Sequence, residues 1–177
     1  MKNTTPIRAS NIFLVTLIAL ATIAADQISK QMALRAFQPG EIKPIINGFF
    51  NLTLTFNRGA AFGLWSGLPS GWREAVLGLT VLLALVIVVF LITRPYYQTP
   101  LAQISLAAIL GGAIGNVIDR LSYGAVVDFL DFYIGNTHWP AFNIADSAIC
   151  VGVALLLFLP KPQEELNQAS QPSEHPR

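Results

Sequence analysis

From Ala75 to Ile92 the chain carries no charged side chain, and at 1.5 Å of rise per residue this run approaches the roughly 20 residues an α-helix needs to cross a bilayer. Three further apolar stretches accompany it. Asn11–Ala25 is short for a span but can extend toward Met32 if Asp26 and Lys30 reach the interface. Leu101–Ile118 carries only Gln103, Ser105 and Asn116 as polar side chains, and its Gly111-x-x-x-Gly115 spacing permits close approach by another helix. Ala141–Leu159 is apolar apart from Asn143, Asp146 and Ser147 near its start, and Pro160 closes it. With 53% hydrophobic and 12% charged residues, the composition is that of a membrane protein, since soluble domains run at about 25% charged.

Between the spans the pattern changes period. Phe50-Asn51-Leu52-Thr53-Leu54-Thr55-Phe56 alternates apolar and polar residues, which predicts a half-buried strand, and Ala125–Tyr133 is rich in Val, Phe and Tyr and reads as extended. The expected fold is an all-α membrane bundle with a small β element: four transmembrane helices at about 11–28, 75–92, 101–118 and 141–159 beneath an extracytoplasmic β-sheet platform. Residues 1–160 form one membrane domain on this reading, with outer loops at 29–74 and 119–140, a turn at Ser66–Gly71 and a disordered cytoplasmic tail over 161–177. Lys2, Arg8, Arg94 and Lys161 favour both termini inside. The first span is expected to be an uncleaved helix rather than a signal peptide cut after Thr22-Ile23-Ala24-Ala25, since only further spans follow it.

Four of the five aspartates, Asp119, Asp128, Asp131 and Asp146, fall in one 28-residue stretch from the end of the third span to the start of the fourth. A carboxylate beside hydrocarbon costs about 2.5–3.5 kcal/mol at a helix centre, so such residues mark a site more often than they decorate one. Asp146 follows Asn143 by three residues, on one face of the fourth helix near its amino end, where a plain capping role is the alternative. Asp128 stands between Val127 and Phe129 in the presumed strand, an unfavourable place for an acid unless it works there or faces solvent. Asp119-Arg120 reads first as an interfacial anchor or structural ion pair, Asp26 and Lys30 as a surface i, i+4 pair, and Asp131 as a solvated loop residue. Cys150, the only cysteine, reads as a small buried hydrophobe.

Several functions are disfavoured. A net charge of +1 without a basic cluster offers no face for nucleic acid. His138 and His175 are the only histidines and form no HExxH pair, which leaves a carboxylate-only site for a hard cation as the remaining metal option. A proton-coupled transporter would need a polar pathway to the inner face, and a scaffold would tolerate loss of either Asp128 or Asp146. The glycosylation triplets at Asn3 and Asn51 are too common to carry weight.

Five stretches in order give a specific resemblance: Asp26-Gln27-Ile28-Ser29-Lys30, Asn57-Arg58-Gly59-Ala60-Ala61-Phe62, Asn116-Val117-Ile118-Asp119-Arg120, Val126-Val127-Asp128-Phe129 and Phe142-Asn143-Ile144-Ala145-Asp146. The chain resembles the lipoprotein signal peptidases, or signal peptidase II, from roughly Ile12 to Leu159. The resemblance implies a bacterial inner-membrane aspartic endopeptidase with Asp128 and Asp146 as its catalytic pair. It implies supporting roles for Asp26, Lys30, Asn57, Gly59, Asn116, Asp119, Arg120 and Asn143, and leaves Arg58 open. It also implies prolipoprotein substrates carrying a diacylglyceryl-modified cysteine, contact with membrane lipids, a monomer, no metal or organic cofactor, and inhibition by globomycin-type cyclic peptides. The turn around Gly59 is expected to close over substrate.

Overall fold

The computed structural model describes residues 9–59, 69–94 and 97–159. Lys2, Arg8, the Ala60-Ala61-Phe62 motif, the first half of the Ser66–Gly71 turn, Pro160 and the tail lie outside the described residues.

Among the described residues four helices and four strands follow in the order α1 (Ala9–Ala36), β1 (Ile42–Ile46), β2 (Phe50–Asn57), α2 (Ser70–Ile92), α3 (Pro100–Tyr123), β3 (Val126–Ile134), β4 (Thr137–His138) and α4 (Ile144–Leu157). Three of the described helices are long and apolar enough to cross a membrane. The sequence places three helix ends too early or too late. Residues 29–36, 70–74 and 119–123, expected in outer loops, are helical. Helix α1 is 28 residues long, about 42 Å at the standard rise, so Asp26 and Lys30 sit well inside it rather than at its end. Helix α4 is shorter than expected, at 14 residues, because Ala141 to Asn143 are not helical: Phe142 bridges to Leu130 and Asn143 is the helix cap.

Helix α3 is the centre of the bundle, and small residues make it so. A Cβ added at Gly111 would lie 2.7 Å from the Ala19 carbonyl oxygen of α1, and one at Gly112 would lie 2.5 Å from the Ala145 carbonyl oxygen of α4. At Gly115 the same atom would meet the Asp26 carboxylate at 2.5 Å. The expected Gly111/Gly115 pair thus packs α3 on α1, while Gly112, on another face, admits α4. Pro100 stands in the first turn of α3, where it has no N–H to leave unpaired, and the Thr99 side chain accepts the Ala102 N–H. At the other end Gly124 adopts φ 67°, the left-handed conformation that turns the chain directly into β3. Away from the sheet, Val88 of α2 packs with Leu106 and Ile109 of α3, while Leu79, Leu82, Leu83 and Val86 of α2 remain exposed, as lipid-facing side chains would be.

The sheet runs in the order β1-β2-β3-β4, with every pairing antiparallel. Strand β1 was not anticipated because Pro44 lies within it; the sheet tolerates Pro44 because β1 is an edge and the register shifts beside it. In β2 the expected alternation is present with an unexpected sense. Asn51 and Thr53 are on the buried side, where the Asn51 amide donates to Asp131 and the Thr53 hydroxyl to the Glu41 carbonyl, and a register shift between Leu52 and Thr55 reverses the faces.

Gly112→Ala is expected to force α3 and α4 apart and cost about 1–3 kcal/mol, read as a lowered thermal midpoint in detergent. Gly78→Ala, which meets nothing within 4 Å, is expected to leave that midpoint unchanged or slightly raised. Equal effects would contradict this packing.

Candidate active site

One ammonium group organises the interior where the helices meet the sheet. Lys30 Nζ lies 2.8 Å from Asp26 Oδ2 and 2.8 Å from Asp119 Oδ2, and donates to Asn116 Oδ1 at 3.0 Å. Lys30 is only 1% exposed, and Asp26 and Asp119 are fully buried. The i, i+4 pair expected on the surface is therefore an interior ion cluster, since helical spacing fixes a shared face without saying which way that face looks. Gln27 Nε2 completes it by donating to Asp119 Oδ1 at 2.9 Å and to the Gly115 carbonyl. The remaining carboxylate valences reach other elements: Asp26 Oδ1 accepts the Ala145 N–H of α4 at 2.9 Å, and Asp119 Oδ2 accepts the Val127 N–H of β3 at 2.9 Å. Asp119 thus pairs with Lys30 rather than serving with Arg120 as an anchor. Arg120 instead donates to the Asn116 carbonyl at 3.3 Å and, weakly, to the Gly59 carbonyl at 3.5 Å.

Asp128 and Asp146 converge beside this cluster, linked through Asn143. The Asn143 amide donates to Asp128 Oδ1 at 2.7 Å, while its own Oδ1 accepts the Asp146 N–H at 2.9 Å. Asn116 donates to Asp146 Oδ1 at 2.8 Å, and the Asn143 N–H reaches Asp146 Oδ2 at 3.3 Å, closing a capping box over the first turn of α4. The capping alternative for Asp146 and its place beside a second acid are thus compatible. Asp128 is buried at 1% exposure, Asp146 is half-buried, and Asn57 at the end of β2 hydrogen-bonds Asp128 from its outer side. The Gly59 N–H donates to Asn57 Oδ1 at 3.0 Å, which fixes that amide with its NH2 group free to donate. Burial and the charge of Asp146 both disfavour ionisation of Asp128 beside it.

Residues 18–159 match the family model for Signal peptidase (SPase) II. The chain belongs to the signal peptidase II family. Two curated relatives, both named lipoprotein signal peptidase, come from Burkholderia mallei strain SAVP1, at 48% identity over 80% of this chain and 83% of the relative, and from Burkholderia cenocepacia strain HI2424, at 50% identity over the same shares. Two solved bacterial membrane enzymes superpose with TM-scores of 0.72 and 0.70, at 28% and 30% identity. The first covers 100% of this chain and 99% of its own; the second covers 89% and 96%. This signal peptidase II family member is an aspartic peptidase and a multi-pass bacterial membrane protein.

Every site residue named from the sequence, Asp26, Lys30, Asn57, Gly59, Asn116, Asp119, Arg120, Asp128, Asn143 and Asp146, falls in this one region. Gln27 was quoted within a motif without a role, and the structure gives it one as a donor to both acids of the ion cluster. Asp131 departs from its expected solvated place: it is buried in β3, accepting from Asn51 at 2.8 Å and facing His138 Nδ1 at 2.9 Å. Cys150 departs too, being exposed on α4, on a side of the helix that would face lipid.

Burial, then the neighbouring Asp146 charge, push the Asp128 carboxyl from its ordinary 3.8 up to about 7, against hydrogen bonds from Asn57 and Asn143 and the Lys30 charge. Between 3.8 and about 7 the folded chain holds a proton that the unfolded chain has released, so stability falls as pH rises through that window. Asp128→Asn does not titrate, and its thermal midpoint relative to the parent is expected to climb across the same window and level off above it. A difference independent of pH would contradict the raised carboxyl.

Proposed function

We propose that this protein removes signal peptides from bacterial prolipoproteins, cutting on the amino side of a diacylglyceryl-modified cysteine by water attack assisted by Asp128 and Asp146. The observation that carries this reading is the convergence of the two carboxyls through Asn143 at the junction of a membrane bundle and a sheet. The ionised member takes a proton from water as the water oxygen bonds to the scissile carbonyl carbon, and the protonated member donates to the oxygen on which negative charge develops. When the tetrahedral intermediate collapses, the C–N bond breaks, the proton gained from water passes to the leaving amine, and the pair regains its single shared proton. Asp26, Lys30, Asn116, Asp119 and Asn143 hold the pair in place, while Arg120, Asn57 and Gly59 line its approach.

On this reading α4 is the fourth span and both termini lie in the cytoplasm, with the site near the periplasmic face of the inner membrane. At 14 residues, α4 is roughly 21 Å long, less than the roughly 30 Å of hydrocarbon. Its amino end, with Asp146, would then lie below the outer surface, where a lipid-anchored substrate brings its modified cysteine. Prolipoproteins and membrane lipids are the partners this requires; a monomer suffices, and globomycin-type cyclic peptides are expected to compete with substrate.

Cleavage of a diacylglyceryl-modified precursor peptide by the purified protein in a bilayer mimetic is the test. Folded Asp128→Asn and Asp146→Asn are each expected to lose roughly a thousandfold or more in kcat. Turnover in either variant would show that its residue is not catalytic, and loss of turnover with a chelator would replace the dyad by a metal mechanism.

A further inference from the structure

The dyad contains an asymmetry that its two carboxylates alone do not explain, and its origin lies in α1. Lys30 Nζ has only donors to offer, so the atom of Asn116 that faces it at 3.0 Å is the acceptor Oδ1. The Asn143 amide donates to the same oxygen at 3.2 Å. With its oxygen committed inward, the Asn116 NH2 group is turned outward onto Asp146 Oδ1 at 2.8 Å. Asp146 Oδ2 meets a second donor, the Asn143 backbone N–H at 3.3 Å, at the positive end of α4. Both donors bind a carboxylate more strongly than a carboxylic acid, so together they favour the ionised form of Asp146. Asp128 also accepts from two side chains, Asn143 at 2.7 Å and Asn57, but it lies on a strand without a helix end behind it and is 1% exposed where Asp146 is half-buried, so the difference between the two acids is one of burial and helix end.

We propose that Lys30 is a positioning residue for the reaction: by fixing the Asn116 amide it keeps Asp146 as the ionised member of the pair. The shared proton then rests on Asp128, and Asp146, the more exposed of the two, is the base that meets water. This rests on the dyad reading above and assigns within it which carboxyl does what.

The charges around Asp146 do not make the assignment by themselves. Asp26 and Lys30 face it from α1, Arg120 from α3 and Asp128 from β3, while Asp119 of α3 pairs with Lys30. Within the cluster the positive charge of Lys30 is more than offset by Asp26 and Asp119, so what Lys30 adds is chiefly the direction in which Asn116 points. A neutral side chain at position 30 frees that amide to rotate its oxygen toward Asp146, where it repels a carboxylate and favours the acid.

The test is the pH dependence of kcat for the full chain on the diacylglyceryl-modified precursor peptide. Lys30→Met alone would strand two buried aspartates, so the charge-balanced pair Lys30→Met/Asp119→Asn is measured beside Asn116→Ala, which leaves the ion cluster intact. Both are expected to move the acidic limb of the profile up by about one pH unit, with kcat changed more than KM at a fixed acidic pH. A folded protein with that limb in place, active only in proportion to its folded fraction, would reduce Lys30 to a structural residue and overturn the proposal. Should the paired variant not fold, Asn116→Ala decides: a raised limb supports the proposal and an unmoved one overturns it. Asp128→Asn and Asp146→Asn run alongside; turnover in either brings down the dyad reading itself, a failure distinct from an unmoved limb with both controls inactive.

Discussion

The site depends on a buried ammonium held between two buried carboxylates. Taking these charges out of water is expensive, and removing one partner of such a pair typically costs about 3–5 kcal/mol because the other charge is left uncompensated. What the cluster of Lys30, Asp26 and Asp119 secures is geometry. Asp26 accepts from the backbone of α4, Asp119 accepts from the backbone of β3, and Lys30 grips Asn116 of α3. The two elements that carry Asp128 and Asp146 are therefore each tied to the ion cluster by a charge-assisted hydrogen bond, β3 to Asp119 of α3 and α4 to Asp26 of α1, at the backbone N–H directly before the aspartate each carries.

Close helix packing makes that arrangement reachable. Glycines 111, 112 and 115 remove the side chains that would otherwise separate α3 from its neighbours, and at Gly115 the space released is occupied by the Asp26 carboxylate itself. The small-residue pattern is thus part of the site as well as of the bundle. The capping box at the start of α4 links the same geometry to chemistry, because the hydrogen bonds that begin the helix also set the orientation of Asn143 between the two acids.

Much of this was legible in the chain. The apolar runs located all four helices, since little else explains long uncharged stretches of this kind, and the strands at Phe50–Phe56 and Ala125–Tyr133 followed from alternation and β-branched content. Helix ends were less legible: residues 29–36 continue α1 because nothing before Pro39-Gly40 stops a helix, whereas Phe142 leaves the helical path to bridge β3. Asp26–Lys30 was misread because periodicity gives a shared face and not its direction. Asp131 was misread because the partner that buries it, Asn51, lies on another strand. Cys150 was misread because in a membrane an apolar helix has a lipid-facing side that hydrophobicity alone cannot tell from its core.

The central claim is that Asp128 and Asp146 form one catalytic unit with one proton between them. Single-turnover rates on the modified precursor peptide for Asp128→Asn, Asp146→Asn and the combined variant test it most directly. A unit loses its function once, so the combined variant is expected to be no slower than the slower single variant. Losses that multiply would mean that the two carboxylates act independently, and the shared-proton mechanism would have to be abandoned.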